Sequence, residues 1–225
     1  MIEAGRQRTL RLVMLDCDGV LFDSFRSNVA YYNAVLEKMG EPRLDEHTER
    51  LCHVYSTPQL FAHLYADDPE RAKEAERIAY GIDYRPFLEY MDPVPGLHEV
   101  LSALKASYRV ALATNRGKSV PPLLERFGLR DVFDVVSTIL DVPRPKPAPD
   151  ILLHCLDKTG LAPEEAVYVG DMENDRIAAQ AAGIPFVLVG NGIRHPLRVD
   201  RLEELPGLLE RMERDSGRGA WGRGP

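Results

Sequence analysis

The stretch "MLDCDGVLFD" (residues 14–23) closes an apolar run, Leu12, Val13, Met14 and Leu15, with two carboxylates one residue apart, Asp16 and Asp18, followed by a glycine. A strand sends alternate side chains the same way, so a strand reading predicts that Asp16 and Asp18 point together into one crevice at the strand's end. Carboxylates that close raise one another's pKa unless a cation or a shared proton intervenes. A plain turn after the strand would use the same residue types, since Asp is common there. The rest of the chain decides between the two readings.

Working outward, short apolar runs recur at residues 11–15, 109–114, 132–138, 166–170 and 185–190, each followed by a stretch that reads as helix. Runs that are apolar on both faces suit a parallel sheet covered by helices on each side. The alternation predicts an α/β fold with a doubly wound, Rossmann-like parallel sheet. One interval breaks the rhythm: between Asp23 and the turn "DPVPG" (92–96) only helical patterns are legible. There Val29, Tyr32, Ala34, Val35, Leu36 and Met39 form a stripe, and Gly40 is a natural stop. The expected organisation is therefore a core of residues 1–22 and 94–213, an inserted all-helical cap of residues 23–93, and a flexible tail, "RDSGRGAWGRGP", over 214–225.

The bulk composition narrows the partners. A chain of 225 residues that is 44% hydrophobic and 28% charged is that of an ordinary globular protein. A formal net charge of −7 argues against broad contact with nucleic acid or an anionic membrane, leaving a small phosphorylated metabolite open if local positive charge is supplied. No apolar run approaches the roughly 20 residues of a membrane span, and the first residues lack the apolar core of a secretory signal, so a cytoplasmic location is expected. Cys17, Cys52 and Cys155 are odd in number and far apart, which suggests neither a disulfide framework nor a thiolate zinc site. A monomer or a homodimer fits equally well.

Ligands of open parallel sheets bind beyond the carboxyl ends of the strands. Those ends carry Asp16 and Asp18; Thr114, Asn115 and Arg116; Lys146 in "RPKPAPD"; and Asp171, Glu173 and Asp175 in "GDMEND". Four converging aspartates, Asp16, Asp18, Asp171 and Asp175, need positive charge to coexist, and a hard divalent cation such as Mg²⁺ with oxygen ligands fits best. Lys146 adds a compact cation able to pair with Asp16 and with a phosphoryl group. Thr114 adds a hydroxyl, and amides near Asn115 and Arg116, read as a helix start, offer donors to anionic oxygens. Such a mould suits transfer of a phosphoryl group to a carboxylate nucleophile, with Asp16 attacking and Asp18 serving as acid and base.

These four motifs, in this order, resemble those of the haloacid dehalogenase-like superfamily of hydrolases, in its branch with a helical cap after the first strand. The likeness runs from residue 14 to about residue 205, and "YRPFLEYMDPVPG" (84–96) resembles the return linker of the phosphoglycolate phosphatase-like group. The resemblance implies that Asp16 is the nucleophile and a Mg²⁺ ligand, while Asp18 is the acid/base and binds the metal through its backbone carbonyl. It implies further that Thr114 and Lys146 hold the phosphoryl oxygens, that Asp171 ligates Mg²⁺, and that Asp175 supports the ligands from behind. Asp18 favours phosphate ester chemistry over carbon–halogen cleavage, since dehalogenases of this type lack a carboxylate there. Arg116 stands where Ser or Lys is more usual.

In the cap, His53, Tyr55, Ser56 and Thr57 are candidate substrate contacts, although packing within a small helical core would use the same residue types. A phosphomutase of the β-phosphoglucomutase type is the alternative function, and would need a cap that holds a sugar in two orientations. A non-catalytic phospho-acceptor or regulatory domain is the second alternative. The early pair of aspartates and the helical insertion weigh against a receiver of that kind.

Overall fold

The computed structural model describes residues 9–52 and 55–216. In chain order its elements are β1 (Leu12–Leu15), β2 (Phe22–Asp23), α1 (Phe25–Lys38), α2 (Glu46–Leu51), α3 (Thr57–Leu64), α4 (Pro69–Gly81) and β3 (Asp92–Pro93). There follow α5 (Leu97–Lys105), β4 (Arg109–Ala113), α6 (Val120–Arg126), β5 (Val135–Ser137), α7 (Asp150–Thr159), β6 (Ala166–Gly170), α8 (Glu173–Ala182), β7 (Phe186–Val189), β8 (Arg198–Val199) and α9 (Leu205–Ser216). The described residues divide into two compact units, one made of those in 9–21, 94–114 and 131–216, the other of those in 22–52, 55–93 and 115–130.

The first unit is the expected sheet. Six strands run in the order β5-β4-β1-β6-β7-β8, every pairing parallel. Order that runs outward in both directions from β1 is what double winding produces, and it places the C-terminal ends of β1, β4 and β6 side by side. All four residues of β1 and all five of β6 are buried, which is why their sequences read as continuous apolar runs. One sheet face packs Leu12, Met14, Ala111, Ala113 and Tyr168 against Ile151, Leu152 and Cys155 of α7 and Ala178 and Ala179 of α8. Two details differ from the sequence reading. The third strand is only three residues long, because Asp134 turns its carboxylate onto the Val110 N–H at 2.8 Å instead of extending the ladder. A further edge strand, β8, is too short to leave an apolar signature.

The second unit is built from α1 to α4 around Tyr32, Val35, Leu36, Leu60, Phe61 and Ala75. Most of the predicted stripe on α1 is inside, and Gly40 takes φ +72° just past the helix, where the Glu41 N–H reaches back to the Leu36 carbonyl at 2.9 Å. Asn33 is buried where the pattern has a polar position. Its amide oxygen accepts the Leu44 N–H at 2.8 Å and so ties down the chain after the helix. β2 and β3 form a short antiparallel ribbon, strands that the sequence did not show. Residues 115–130 join this unit through the Phe22–Phe127 ring contact, centroids 4.7 Å apart, although the sequence reading had them with the sheet. α9 extends to Ser216, past the start of the expected tail, and residues 217–225 lie outside the described residues.

Candidate active site

The site begins where β1 ends. The strand is counted to Leu15, and Asp16 and Asp18 lie in the chain just beyond it. A turn follows, closed by the Leu21 N–H on the Cys17 carbonyl at 3.0 Å, and Gly19 in it adopts φ +73°. A Cβ on Gly19 would lie 2.0 Å from Asp171 Oδ2, so the glycine admits the carboxylate from the neighbouring strand end as well as the left-handed backbone. The Asp16 N–H bonds to the Val169 carbonyl at 2.9 Å, locking the two strand ends together.

Carboxylate oxygens of Asp16, Asp171 and Asp175 lie within 4.8 Å of one another. Asp18 is half-buried beside them and its charge adds to the pKa elevation of both Asp16 and Asp171. Asp175 sits in the first turn of α8, and Gly170 leaves it room: a Cβ there would approach the Asp175 Cβ to 2.5 Å. Its Oδ2 accepts the N–H groups of Asp171 and Met172 at 3.2 and 3.1 Å, so the carboxylate also caps the helix start. Glu173 points elsewhere, into an exposed pair with Arg176.

Lys146 supplies the balancing charge. Its buried ammonium lies 2.8 Å from Asp16 Oδ1, 2.7 Å from Asp175 Oδ1 and 2.7 Å from the hydroxyl of Tyr168. Burial alone would lower the pKa of this lysine, but the attraction of Asp16 and Asp175 outweighs it and the shift is upward, so the group is a fixed cation. Burial drives the Asp16 carboxyl up to about 7 against the pull of Lys146, with the charges of Asp175 and Asp18 adding to it. Burial, then Asp16 and Asp175, drives Asp171 up to about 8. One lysine thus falls short of the negative charge gathered here. The buried Oδ1 of Asp171 has no hydrogen-bond partner, and the donors on offer are hard carboxylate oxygens, so the cluster fits a divalent cation of the Mg²⁺ type.

Thr114, next after β4, is buried, and its N–H bonds to the Ser137 carbonyl at 3.0 Å. Asn115 and Arg116 belong to the second unit, and the helix expected to start at them begins only at Val120. Within that unit the Arg116 guanidinium is buried over the Tyr84 ring, 4.9 Å from its centroid, and donates to Asn28 Oδ1, the Tyr84 hydroxyl and Ser119 Oγ at 3.2–3.3 Å. Of the cap candidates, Ser56 donates from both N–H and Oγ to Gln59 Oε1 at 2.9 Å, and Thr57 Oγ1 meets the Tyr32 hydroxyl at 3.2 Å. The Tyr55 ring lies 5.6 Å from that of His63. His53 lies outside the described residues. The residue that sequence reasoning missed is Tyr168, an aromatic inside "AVYVG" whose only signal was a hydroxyl in an otherwise apolar strand.

The chain belongs to the haloacid dehalogenase-like hydrolase family, whose model matches residues 13–189. It is 34% identical over 218 residues to a phosphoglycolate phosphatase of Chromobacterium violaceum, covering 89% of this chain and 97% of that one. A crystal structure of a HAD-superfamily hydrolase, subfamily IA, variant 1, from Geobacter sulfurreducens is 38% identical, with a TM-score of 0.73 over 91% of this chain and 99% of its own. The structure of CbbY from Rhodobacter sphaeroides in complex with phosphate superposes with a TM-score of 0.74 over 87% and 96% of the two chains; at 23% identity that likeness speaks for the fold alone. Within the family the chain is phosphoglycolate phosphatase-like, a phosphoric monoester hydrolase. No helix among the described residues is long and apolar enough to cross a membrane.

Proposed function

We propose that the protein is a Mg²⁺-dependent phosphatase that hydrolyses a small phosphorylated metabolite through an aspartyl-phosphate on Asp16, with phosphoglycolate the first candidate substrate because relatives of similar length carry that name. The observation that carries the reading is the buried Asp16 carboxylate, held 2.8 Å from Lys146 in a cluster with Asp171 and Asp175. Asp16 and Asp171, with the backbone carbonyl of Asp18, would hold Mg²⁺, and Asp175 would fix Asp171 through the N–H groups it accepts. When bound, the cation supplies the positive charge that keeps Asp16 ionised and offsets the charge of the phosphoryl group.

Asp16 attacks phosphorus and the bond to the ester oxygen breaks, with Asp18 giving its proton to the leaving alcohol. The Asp18 carboxylate then takes a proton from water as that water attacks the aspartyl-phosphate. The bond between phosphorus and Asp16 breaks, and inorganic phosphate leaves with both aspartates restored to their starting states. Lys146 and Thr114 hold the phosphoryl oxygens, and Lys146 balances charge throughout.

The test is phosphate release from phosphoglycolate, sugar phosphates, nucleotides and pyrophosphate, with Mg²⁺ or with EDTA. Selective release that requires Mg²⁺ and disappears in Asp16→Asn, whose circular dichroism matches the wild type, is expected. A wild-type rate in Asp16→Asn would refute the nucleophile assignment, and a rate indifferent to EDTA the cation.

A further inference from the structure

The Lys146 ammonium has three protons and a flexible four-carbon stem, so by itself it does not settle in one place between two carboxylates. Its third close neighbour is neutral: the Tyr168 hydroxyl, at 2.7 Å, the same reach as Asp175 Oδ1. Tyr168 is fully buried, in the middle of β6, with its ring against Phe186 and the sheet core. Because its oxygen accepts from the ammonium, its own proton goes on to Asp175 Oδ1 at 3.0 Å or to the Ala113 carbonyl at 3.2 Å. The phenol therefore links Lys146 to two elements, the backbone of β4 and the first turn of α8.

We propose that Tyr168 is a positioning residue for the reaction: its hydroxyl fixes the Lys146 ammonium against Asp16. The neutrality of the phenol matters. A third carboxylate at this point would draw the ammonium away, whereas a hydroxyl anchors one N–H and leaves the charge for Asp16 and Asp175. Removing the hydroxyl while keeping the ring takes that acceptor away inside a packed face that admits little rearrangement. The ammonium then leans toward Asp175 and the Ala113 carbonyl, already at 3.3 Å, and away from the nucleophile.

This inference rests on the phosphatase reading, and its test separates the two. Tyr168→Phe is expected to lower kcat roughly tenfold or more while KM moves by less than about threefold, as for a group that acts on the transition state and not on substrate binding. In a Lys146→Met background Tyr168→Phe should bring no further loss, since the tyrosine acts only through the lysine. Site-specific replacement by trifluorotyrosine, which keeps the hydroxyl but weakens it as an acceptor, should give a smaller loss in the same direction. Unchanged kcat in Tyr168→Phe, or an equal fractional loss with and without Lys146, would overturn the assignment. Should wild-type protein release no phosphate from any ester, the functional reading falls and the crystal structure of Tyr168→Phe decides this one. Displacement of Lys146 Nζ from its 2.8 Å approach to Asp16 supports the positioning role, and an unmoved Nζ refutes it.

Discussion

Without a divalent cation, the carboxylates of the cluster should be a pH-dependent liability. Asp16 is held up to about 7, chiefly by burial, and Asp171 up to about 8, against an ordinary value of 3.8 for both. A carboxyl raised in the folded state keeps its proton there while the unfolded chain has already released it. Its contribution to stability is therefore complete below about pH 4 and is lost as pH rises through the folded value. One proton retained over the roughly three units between 3.8 and 7 corresponds to about 4 kcal/mol at about 1.4 kcal/mol per unit. Asp171 does not double the figure, because each of the two carboxylates is raised partly by the charge of the other. For a chain of this size a loss of that order lowers Tm by roughly 10 °C. Carboxylates held below their ordinary range by hydrogen bonds, such as Asp141 from Thr138 and Glu165 from the Ala162 N–H and Arg11, act in the opposite sense, and their effect falls on the acid side of the window. Thermal unfolding in EDTA at pH 5, 6, 7 and 8 should therefore give a falling Tm. Mg²⁺ competes with protons for the cluster and should raise Tm more at pH 8 than at pH 5. Asp171→Asn, which removes one charge, should flatten the slope in EDTA. A chelated protein at least as stable at pH 8 as at pH 5 would refute the reasoning.

Two other substitutions probe the scaffold. Gly19→Ala puts a Cβ where Asp171 Oδ2 now lies and imposes φ +73° on alanine, so it should cost roughly 1–3 kcal/mol in denaturant unfolding and weaken Mg²⁺-dependent activity. An alanine variant with wild-type stability and activity would show that Asp171 has room to move. Tyr84→Phe deletes a hydroxyl that donates to Asn28 at 2.9 Å and meets Ser27 Oγ at 3.0 Å and Arg116 at 3.2 Å. Loss of about 1–3 kcal/mol, read by urea titration of the whole chain, is expected, and no change would mean the network relaxes freely.

Much of the fold was legible because strands buried on both faces must be apolar throughout: β1, β4, β6 and β7 fall within one residue of the runs that announced them. β5 was overextended because Val132 and Phe133 continue the apolar pattern, while the Asp134 carboxylate occupies the Val110 N–H that a longer ladder would use. β2, β3 and β8 are two-residue strands, below any periodicity. The second unit was readable as helical from its stripes, but its inclusion of residues 115–130 depends on Phe22 and Phe127 meeting across more than a hundred residues of chain.

That acidic groups, a lysine and a threonine follow the carboxyl ends of parallel strands could be read from local spacing and from one rule of sheet topology. The same reading led to the expectation of a balancing cation, since charge is counted without knowing distance. How the charges meet emerged only from the folded arrangement. Asp16 is tied by its N–H to the end of β6, Asp18 precedes a turn at Gly19, and Asp175 caps a helix with one oxygen while pairing with Lys146 through the other. Tyr168 passed for a core aromatic until its hydroxyl came within 2.7 Å of an ammonium 22 residues earlier in the chain. The reason is physical: side-chain type is written locally, whereas desolvation and hydrogen-bond partnership arise between residues far apart in sequence. The pKa of a buried group belongs to the packed sheet end and to no single segment of the chain.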